Sequence, residues 1–484
     1  MLNKVSKHWF SFFIAFIIIY RLFICFSFKH ELINGESNNI WNAINVSQGK
    51  DLYTNPEDLP LEVFQYTPLS QLPIIFFARL IPSNQMYYVY TIWVLGRIMQ
   101  LIYNLATIFL IYKVLTRCFK VSKIVSQASI LFFFGGLTHL AFAVRPDSLQ
   151  TLLVVSVYSF FCFGYFFNNN KRIIISSLLV GLAILAKQDG FLIVGPIALF
   201  LLFSKLWKQF FVYSLLSIIS ILLALVIANY FFGDYFLYSI TKGIQNEPSF
   251  NQVLATFKKL FSLYSIQLGI VFSVIFYYLF SKKKMEDSVQ LLFITVVCYF
   301  FFGLLTSSKL GSWINYYSLF FVFSFMLVGV FIDNYSTIRW INPLVYQLTI
   351  SILVIVFLFR QIYHYTSPYL RFEENKMYYI SKYEEVEKIK NKIHIEPETN
   401  ILFMNQLQRN FLAANTIMVN IEYYCISNFD YTEFKDKNPK NVQYLIKNIG
   451  EPKVVESLCK FFKIDTLNYT EIYSDKSIQI YKSN

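Results

Sequence analysis

Apolar residues along this chain gather into long runs separated by short polar connections. A helix crosses a bilayer with roughly 20 apolar residues. Runs near that length predict spans at 9–28, 86–112, 122–143, 148–168, 172–187, 190–204, 209–232, 262–281, 288–306, 315–332 and 342–361, about eleven helices in all. The first run, Trp9 to Phe28, follows a basic start with Lys4 and Lys7 and carries no small-residue cleavage site, so it reads as a retained signal anchor. Segment 68–81 is short and bounded by proline, which predicts an interfacial or re-entrant element. After residue 361 the composition turns polar. A Glu/Lys-rich helical pattern covers Lys376–Ile393, a strand-like run covers Asn400–Met404, and Ile472–Tyr481 reads as a hairpin around Ser474-Asp475-Lys476. The expected fold is therefore an α-helical polytopic membrane module over 1–361, including a first outer loop at 29–85. A small soluble α/β domain over 362–484 follows it.

Cations fix the expected orientation. Lys4 and Lys7, then Lys113, Arg117, Lys120 and Lys123, then Lys171 and Arg172, Lys205 and Lys208, and Lys282 to Lys284 occupy every second loop, which places those loops in the cytoplasm. The alternate loops carry acidic residues and, with the tail, face outward. Composition supports this picture, because a chain that is 56% hydrophobic and 15% charged has more apolar surface than one soluble core can use. The net charge of +13 is scattered between apolar runs, so it reads as topology and not as a nucleic-acid surface. Cys25, Cys118, Cys162 and Cys298 lie in or beside apolar runs as packing residues, whereas Cys425 and Cys459 could form a disulfide in an extracytoplasmic tail.

Ionisable groups at span ends need an explanation, since hydrocarbon penalises them strongly. Glu36 precedes a short amphipathic helix in the first outer loop, where its carboxylate could serve as a general base or cap that helix. Arg145 and Asp147 occupy a tight outer turn; they could pair with each other, or the arginine could hold a phosphate. Lys187 ends a helix, where it could complement the dipole or serve the site. Thr306 to Tyr317 is dense in hydrogen-bonding groups, with Lys309 and Asn315 foremost. Arg97 lies inside an apolar helix and must face protein or a polar cavity. There is no Walker loop, His-Glu-x-x-His, Gly-x-Ser-x-Gly or paired-Cys motif, and the five histidines are dispersed. No metal or other cofactor is expected.

The order of these features resembles the GT-C superfamily of integral membrane glycosyltransferases, particularly the family of protein O-mannosyltransferases and bacterial aminoarabinose and mannosyl transferases. The resemblance rests on Glu36, Ala43, Gly49, Tyr53 and Tyr66-Thr-Pro-Leu69, then Arg97, Arg145 with Asp147, Lys187, and Lys309, Gly311, Asn315 and Tyr316. Family members commonly carry Asp or an Asp/Glu pair where this chain has a lone Glu36 between Gly35 and Ser37, and Asp51 is a second candidate base. The resemblance implies inverting transfer of a sugar from a polyprenyl-phosphate donor to a glycan, lipid or protein acceptor outside the cytoplasm, in a bacterial inner membrane. It implies Glu36 as base, Asp147 as a second acidic residue, Arg97, Arg145, Lys187 and Lys309 at the donor phosphate, and Tyr66, Asn315 and Tyr316 lining the sugar site. A transporter or flippase of lipid-linked saccharide is the alternative, but the related halves or paired broken helices expected of one are not evident.

Overall fold

The computed structural model describes residues 2–33, 35–55, 58, 64–136, 143–241, 248–281, 285–309, 314–335, 352, 355–356, 371–402, 405–412, 414–417, 442–449, 459 and 464–484. Most of the predicted span at 342–361, Gly311 and Cys425 lie outside these residues.

In hydrocarbon every backbone N–H and C=O needs a partner within its own segment, so apolar runs fold as helices. Among the described residues, seven helical stretches are long and apolar enough to cross a membrane: 8–25, 88–118, 147–165, 207–232, 250–280, 287–307 and 314–334. They lie in α1 (Leu2–Cys25), α4 (Tyr88–Lys113) with the π turn that follows it, α6 (Asp147–Tyr165), α9 (Trp207–Phe232), α11 (Phe250–Phe280), α12 (Asp287–Ser307) and α13 (Ser318–Tyr335). The run predicted at 122–143 is α5 (Lys123–Gly136), with 137–142 outside the described residues. The runs at 172–187 and 190–204 are α7 (Asn170–Ala186) and a 3-10 turn, Gln188–Ile193, leading into α8 (Val194–Phe203). Helix α11 is longer than its predicted span. It starts at Ser249, whose hydroxyl accepts from Gln252 N, and is kinked at Tyr264 (φ −128°, ψ 23°). Lys258 and Lys259 in its first half dilute the apolar signal there. A short α10 (Tyr235–Thr241) precedes it.

One buried apolar cluster joins α4 through α9 with α11, α12 and α13. Helices α7 and α9 approach closely at Gly181, where a Cβ would lie 2.6 Å from the Ser220 carbonyl oxygen. The Ser220 hydroxyl links the two helices, accepting from Gly181 N at 3.2 Å and donating to Leu178 O at 2.7 Å. Short connections reverse the chain repeatedly. At one end of the bundle, hydrogen bonds join the segment after α1 to α4, the residue after α7 to the start of α6, and the turn before α13 to the start of α6.

The segment between α1 and α4 lies at that same end. It holds α2 (Glu36–Ser47), a 3-10 turn at Pro68–Ser70 and α3 (Leu72–Leu80). Helix α3 buries Ile74, Ile75 and Ala78 while Leu72, Phe76 and Leu80 stay exposed.

Among the described residues, the C-terminal part contains α14 (Phe372–Lys392), α15 (Gln406–Phe411) and five strands: β1 (Asn400–Leu402), β2 (Asn415–Ile417), β3 (Tyr444–Asn448), β4 (Tyr469–Ser474) and β5 (Ile478–Ser483). Strand order is β2-β1-β3-β5-β4; β1 runs parallel to both neighbours, and β5 antiparallel to both of its own. The predicted hairpin is β4–β5, and Asp475 ties its turn by accepting from the backbone N–H groups of Ser477 and Ile478. This part packs on the bundle end. Tyr379 and Leu407 join a core with Phe28, Ile40, Ile44 and Trp93, and the Tyr379 hydroxyl donates to Met86 O at 2.8 Å. The Arg409 guanidinium stacks 3.5 Å from the centroid of the Trp41 ring.

Gly181→Leu should separate α7 from α9 at a cost of roughly 1–3 kcal/mol of overpacking strain. A lowered thermal midpoint in detergent checks this; an unchanged midpoint contradicts the close approach.

Candidate active site

A positive-φ glycine starts the local geometry. Gly35 (φ +90°) turns the chain from the end of α1 into α2, so that Glu36 points back into the bundle. There its carboxylate meets Arg97 of α4 in a bidentate fork, Nε to Oε1 at 2.9 Å and Nη2 to Oε2 at 2.9 Å. Both side chains are buried, at 0% and 1% exposure. Each carboxylate oxygen also accepts a backbone bond, Oε1 from Val144 N and Oε2 from Leu32 N, both at 2.9 Å. Arg97 donates further to the carbonyls of Ser27 and Lys29. The carboxylate of Glu36, the expected general base, thus meets a full set of donors and is closed to solvent. Nor does Glu36 cap α2. Its bonds run backward to Leu32 and across to α4 and Val144.

Val144 carries the same network onward. Its carbonyl accepts from Asn39 Nδ2 at 2.8 Å, and Gln71 Nε2 donates to Asn39 Oδ1 at 3.0 Å. Fixing Val144 fixes the next residues, Arg145 and Asp147, at the start of α6. Asp147 is buried and gathers the remaining groups. Its Oδ1 accepts from Lys187 Nζ at 3.0 Å and Asn315 Nδ2 at 2.9 Å, while Oδ2 faces Arg145 Nε at 3.3 Å. Arg145 also donates to the Tyr66 hydroxyl at 3.2 Å, and Lys187 Nζ sits 4.6 Å from the Tyr316 ring centroid. Lys187 follows α7 in extended backbone, and Gly190 makes that turn possible because a Cβ there would collide with the Ala183 carbonyl. The structure therefore brings together Asp147, Arg145, Lys187, Asn315, Tyr316 and Tyr66. Arg97 is spent on Glu36. Lys309 is half-buried at the end of α12 with its backbone bridged to Pro248, and Asp51 is exposed beyond α2; other residues build the Asp147 cluster.

Three groups were missed in the sequence. Asp189 faces Lys187 Nζ at 3.9 Å and accepts from Gln150 Nε2 at 2.7 Å. Gln150 lies one helical turn below Asp147, a spacing that could have identified it. The third is Glu31, half-buried in the segment after α1, whose Oε1 accepts from Gly35 N at 2.9 Å and Ser37 N at 3.3 Å and so caps α2. Burial, joined by the charge of Glu36, raises its carboxyl against the N–H groups of Ser37 and Gly35 and the charge of Arg145; it is pushed up to about 7. Among the described residues no group of three or more His, Cys, Asp or Glu could hold a metal ion.

A family described as dolichyl-phosphate-mannose-protein mannosyltransferase matches residues 73–231. Among solved structures the chain is similar to ArnT from Cupriavidus metallidurans bound to undecaprenyl phosphate, with a TM-score of 0.64, 12% identity and coverage of 98% of both chains. The apo state of the same protein matches with a TM-score of 0.61 and 13% identity over 99% of this chain and 98% of that one. The Archaeoglobus fulgidus oligosaccharyltransferase tethered with an acceptor peptide matches with a TM-score of 0.54 and 12% identity, covering 100% of this chain and 75% of that one. No curated protein matches by sequence. The chain has the GT-C fold, and it is a multi-pass membrane protein.

Breaking a buried ion pair from one side leaves an uncompensated charge, at a cost of roughly 3–5 kcal/mol. Glu36→Gln and Arg97→Gln should each destabilise the protein on that scale. The neutral double variant E36Q/R97Q should be more stable than the sum of the single losses predicts, by about 1–3 kcal/mol. Unfolding in detergent measures all three; purely additive losses contradict the pairing.

Proposed function

We propose that the protein moves a sugar from a polyprenyl-phosphate-linked donor to the hydroxyl of a glycan, lipid or protein acceptor, at the end of the bundle that carries Asp147. The observation that carries this reading is the Asp147 cluster: two cations and an amide, drawn from three connections, are fixed around one buried carboxylate. Likeness to a protein bound to undecaprenyl phosphate supports the donor class.

The chemistry asks for such a cluster. When the anomeric C–O bond breaks, the lipid phosphate departs with an additional negative charge, and donors already held in place stabilise it without having to reorganise. Arg145 is the better placed of the two cations, because its side chain keeps 14% exposure while Asp147 and Tyr66 hold the guanidinium plane. A fixed fork of this kind suits a phosphate. Lys187 is more enclosed, between Asp147, Asp189 and the Tyr316 ring, and adds field from behind. Asp147 then positions the cations, and Asn315 and Tyr66 complete the polar wall toward the sugar. In this reading the cation-rich connections are cytoplasmic, while the site and the C-terminal domain over 362–484 face outward from a bacterial inner membrane. Docked beside α2, that domain helps to define the acceptor.

Purified wild-type protein in lipid should consume a labelled polyprenyl-phosphate sugar and release polyprenyl phosphate. Charge-assisted hydrogen bonds contribute about 1.5–3 kcal/mol, so Arg145→Gln should raise the donor KM roughly 10- to 100-fold. Failure of the wild type to consume any polyprenyl-phosphate sugar overturns the reading, and movement of the donor across sealed vesicles without transfer supports a flippase instead. An unchanged KM in Arg145→Gln removes Arg145 from the phosphate site.

A further inference from the structure

Glu36 meets four donors, and Asp147 is buried between two cations and an amide, so neither carboxylate is open to an acceptor hydroxyl. A base must have an oxygen that a hydroxyl can reach, and it must be fixed. Glu31 meets both conditions. It belongs to the segment that Arg97 clamps through the Ser27 and Lys29 carbonyls, so its backbone is held by the same network that sets Arg145. Its Oε1 is tied to the N–H groups of Gly35 and Ser37, which fixes the carboxylate plane. Its Oε2 makes no hydrogen bond or ion pair among the described residues, and the side chain is only half-buried. Arg145 directly follows Val144, whose N–H bonds Glu36, so Glu31 and Arg145 stand on two segments that the Glu36–Arg97 fork joins.

We propose that Glu31 is the catalytic base of this chain, receiving the acceptor proton on Oε2; the proposal rests on the transferase reading above. In the step, the acceptor oxygen forms a bond to the anomeric carbon as its proton passes to Glu31. The bond from that carbon to the phosphate oxygen breaks, and its electron pair leaves on polyprenyl phosphate. Glu31 then returns the proton to water.

The surroundings of Glu31 bear on its pH dependence. Glu36 of α2 disfavours its ionisation and Arg145 favours it. On its own segment stand Lys29 and His30; burial, with Lys29 and Arg97 beside it, pushes His30 down to about 4, so it is neutral near pH 7. Tyr378 of α14 stacks toward His30 with centroids 5.4 Å apart, and Arg409 of α15 is turned to Asn38 and Trp41. Glu31 is thus the group here that changes charge near neutral pH, and a carboxyl must be ionised to act as base. Transfer should therefore fall as pH drops through about 7.

The test compares wild type, Glu31→Gln and Glu31→Asp with a labelled polyprenyl-phosphate sugar over a range of pH. Glutamine keeps the oxygen that accepts from Gly35 and Ser37, so melting and donor KM should match wild type. Its kcat should fall about 100-fold or more, and the acidic limb of the pH profile should disappear. Glu31→Asp should retain part of the rate and the limb. If Glu31→Gln transfers at the wild-type rate with the limb intact, Glu31 is not the base although the transferase reading stands. If its kcat loss comes with an equal fall in melting temperature and the limb unchanged, Glu31 is only a cap for α2. If wild type consumes no donor, the transferase reading itself fails.

Discussion

A carboxylate and a guanidinium closed off from water must satisfy each other completely, and Glu36 and Arg97 do so where the end of α1, the start of α2, α4 and the turn before α6 converge. Burying two charges is expensive, and the attraction between them compensates only if the remaining lone pairs and protons are also bonded. Here the lone pairs of Glu36 are taken by Leu32 and Val144, and Arg97 protons by Ser27 and Lys29. The return is positional. Val144, held from one side by Glu36 and from the other by Asn39, precedes Arg145 directly and Asp147 by three residues. The segment ending in Glu31 hangs from the same arginine. The pair is therefore the common origin from which both the cation cluster and the proposed base are placed.

Two acidic residues five positions apart in one loop thus divide the work that a sequence reading gives to one. Glu36 faces inward and meets a full set of donors; Glu31 is half-buried, with Oε1 tied to Gly35 and Ser37. What separates them is Gly35, whose left-handed backbone reverses the direction of the chain between them. A residue with a Cβ would be strained there. The C-terminal part seals the opposite face of α2, with Asn410 donating to the Ser37 hydroxyl at 3.0 Å and Arg409 on Trp41. The segment between α1 and α4 is consequently clamped between bundle and tail.

Much of the helical architecture was legible because hydrocarbon leaves an apolar run little choice, and α4, α6, α7, α9, α12 and α13 begin and end within a few residues of the predicted spans. The first half of α11 was not, since Lys258 and Lys259 interrupt the apolar run while the helix continues around a kink at Tyr264. At the site, the polar residues at helix ends signalled that Arg145, Asp147, Lys187 and Asn315 could meet. Who pairs with whom was not legible. Glu36 and Arg97 are 61 positions apart, and no local period relates them. Glu31 gave no signal either: its perturbation comes from burial and from neighbours brought in by the fold, not from any residue pattern around it.

In the proposed complex, donor phosphate binds at the Arg145 side of the Asp147 cluster with the anomeric carbon turned toward Glu31. A structure of the protein in lipid with a non-transferable polyprenyl-phosphate sugar tests it most directly. The phosphate should lie within hydrogen-bonding distance of the Arg145 guanidinium, with the Glu36–Arg97 fork intact and the Glu31 carboxylate on the face of the sugar opposite the phosphate. A phosphate bound away from Arg145, or a Glu36 carboxylate released from Arg97 and turned to the sugar, would contradict it.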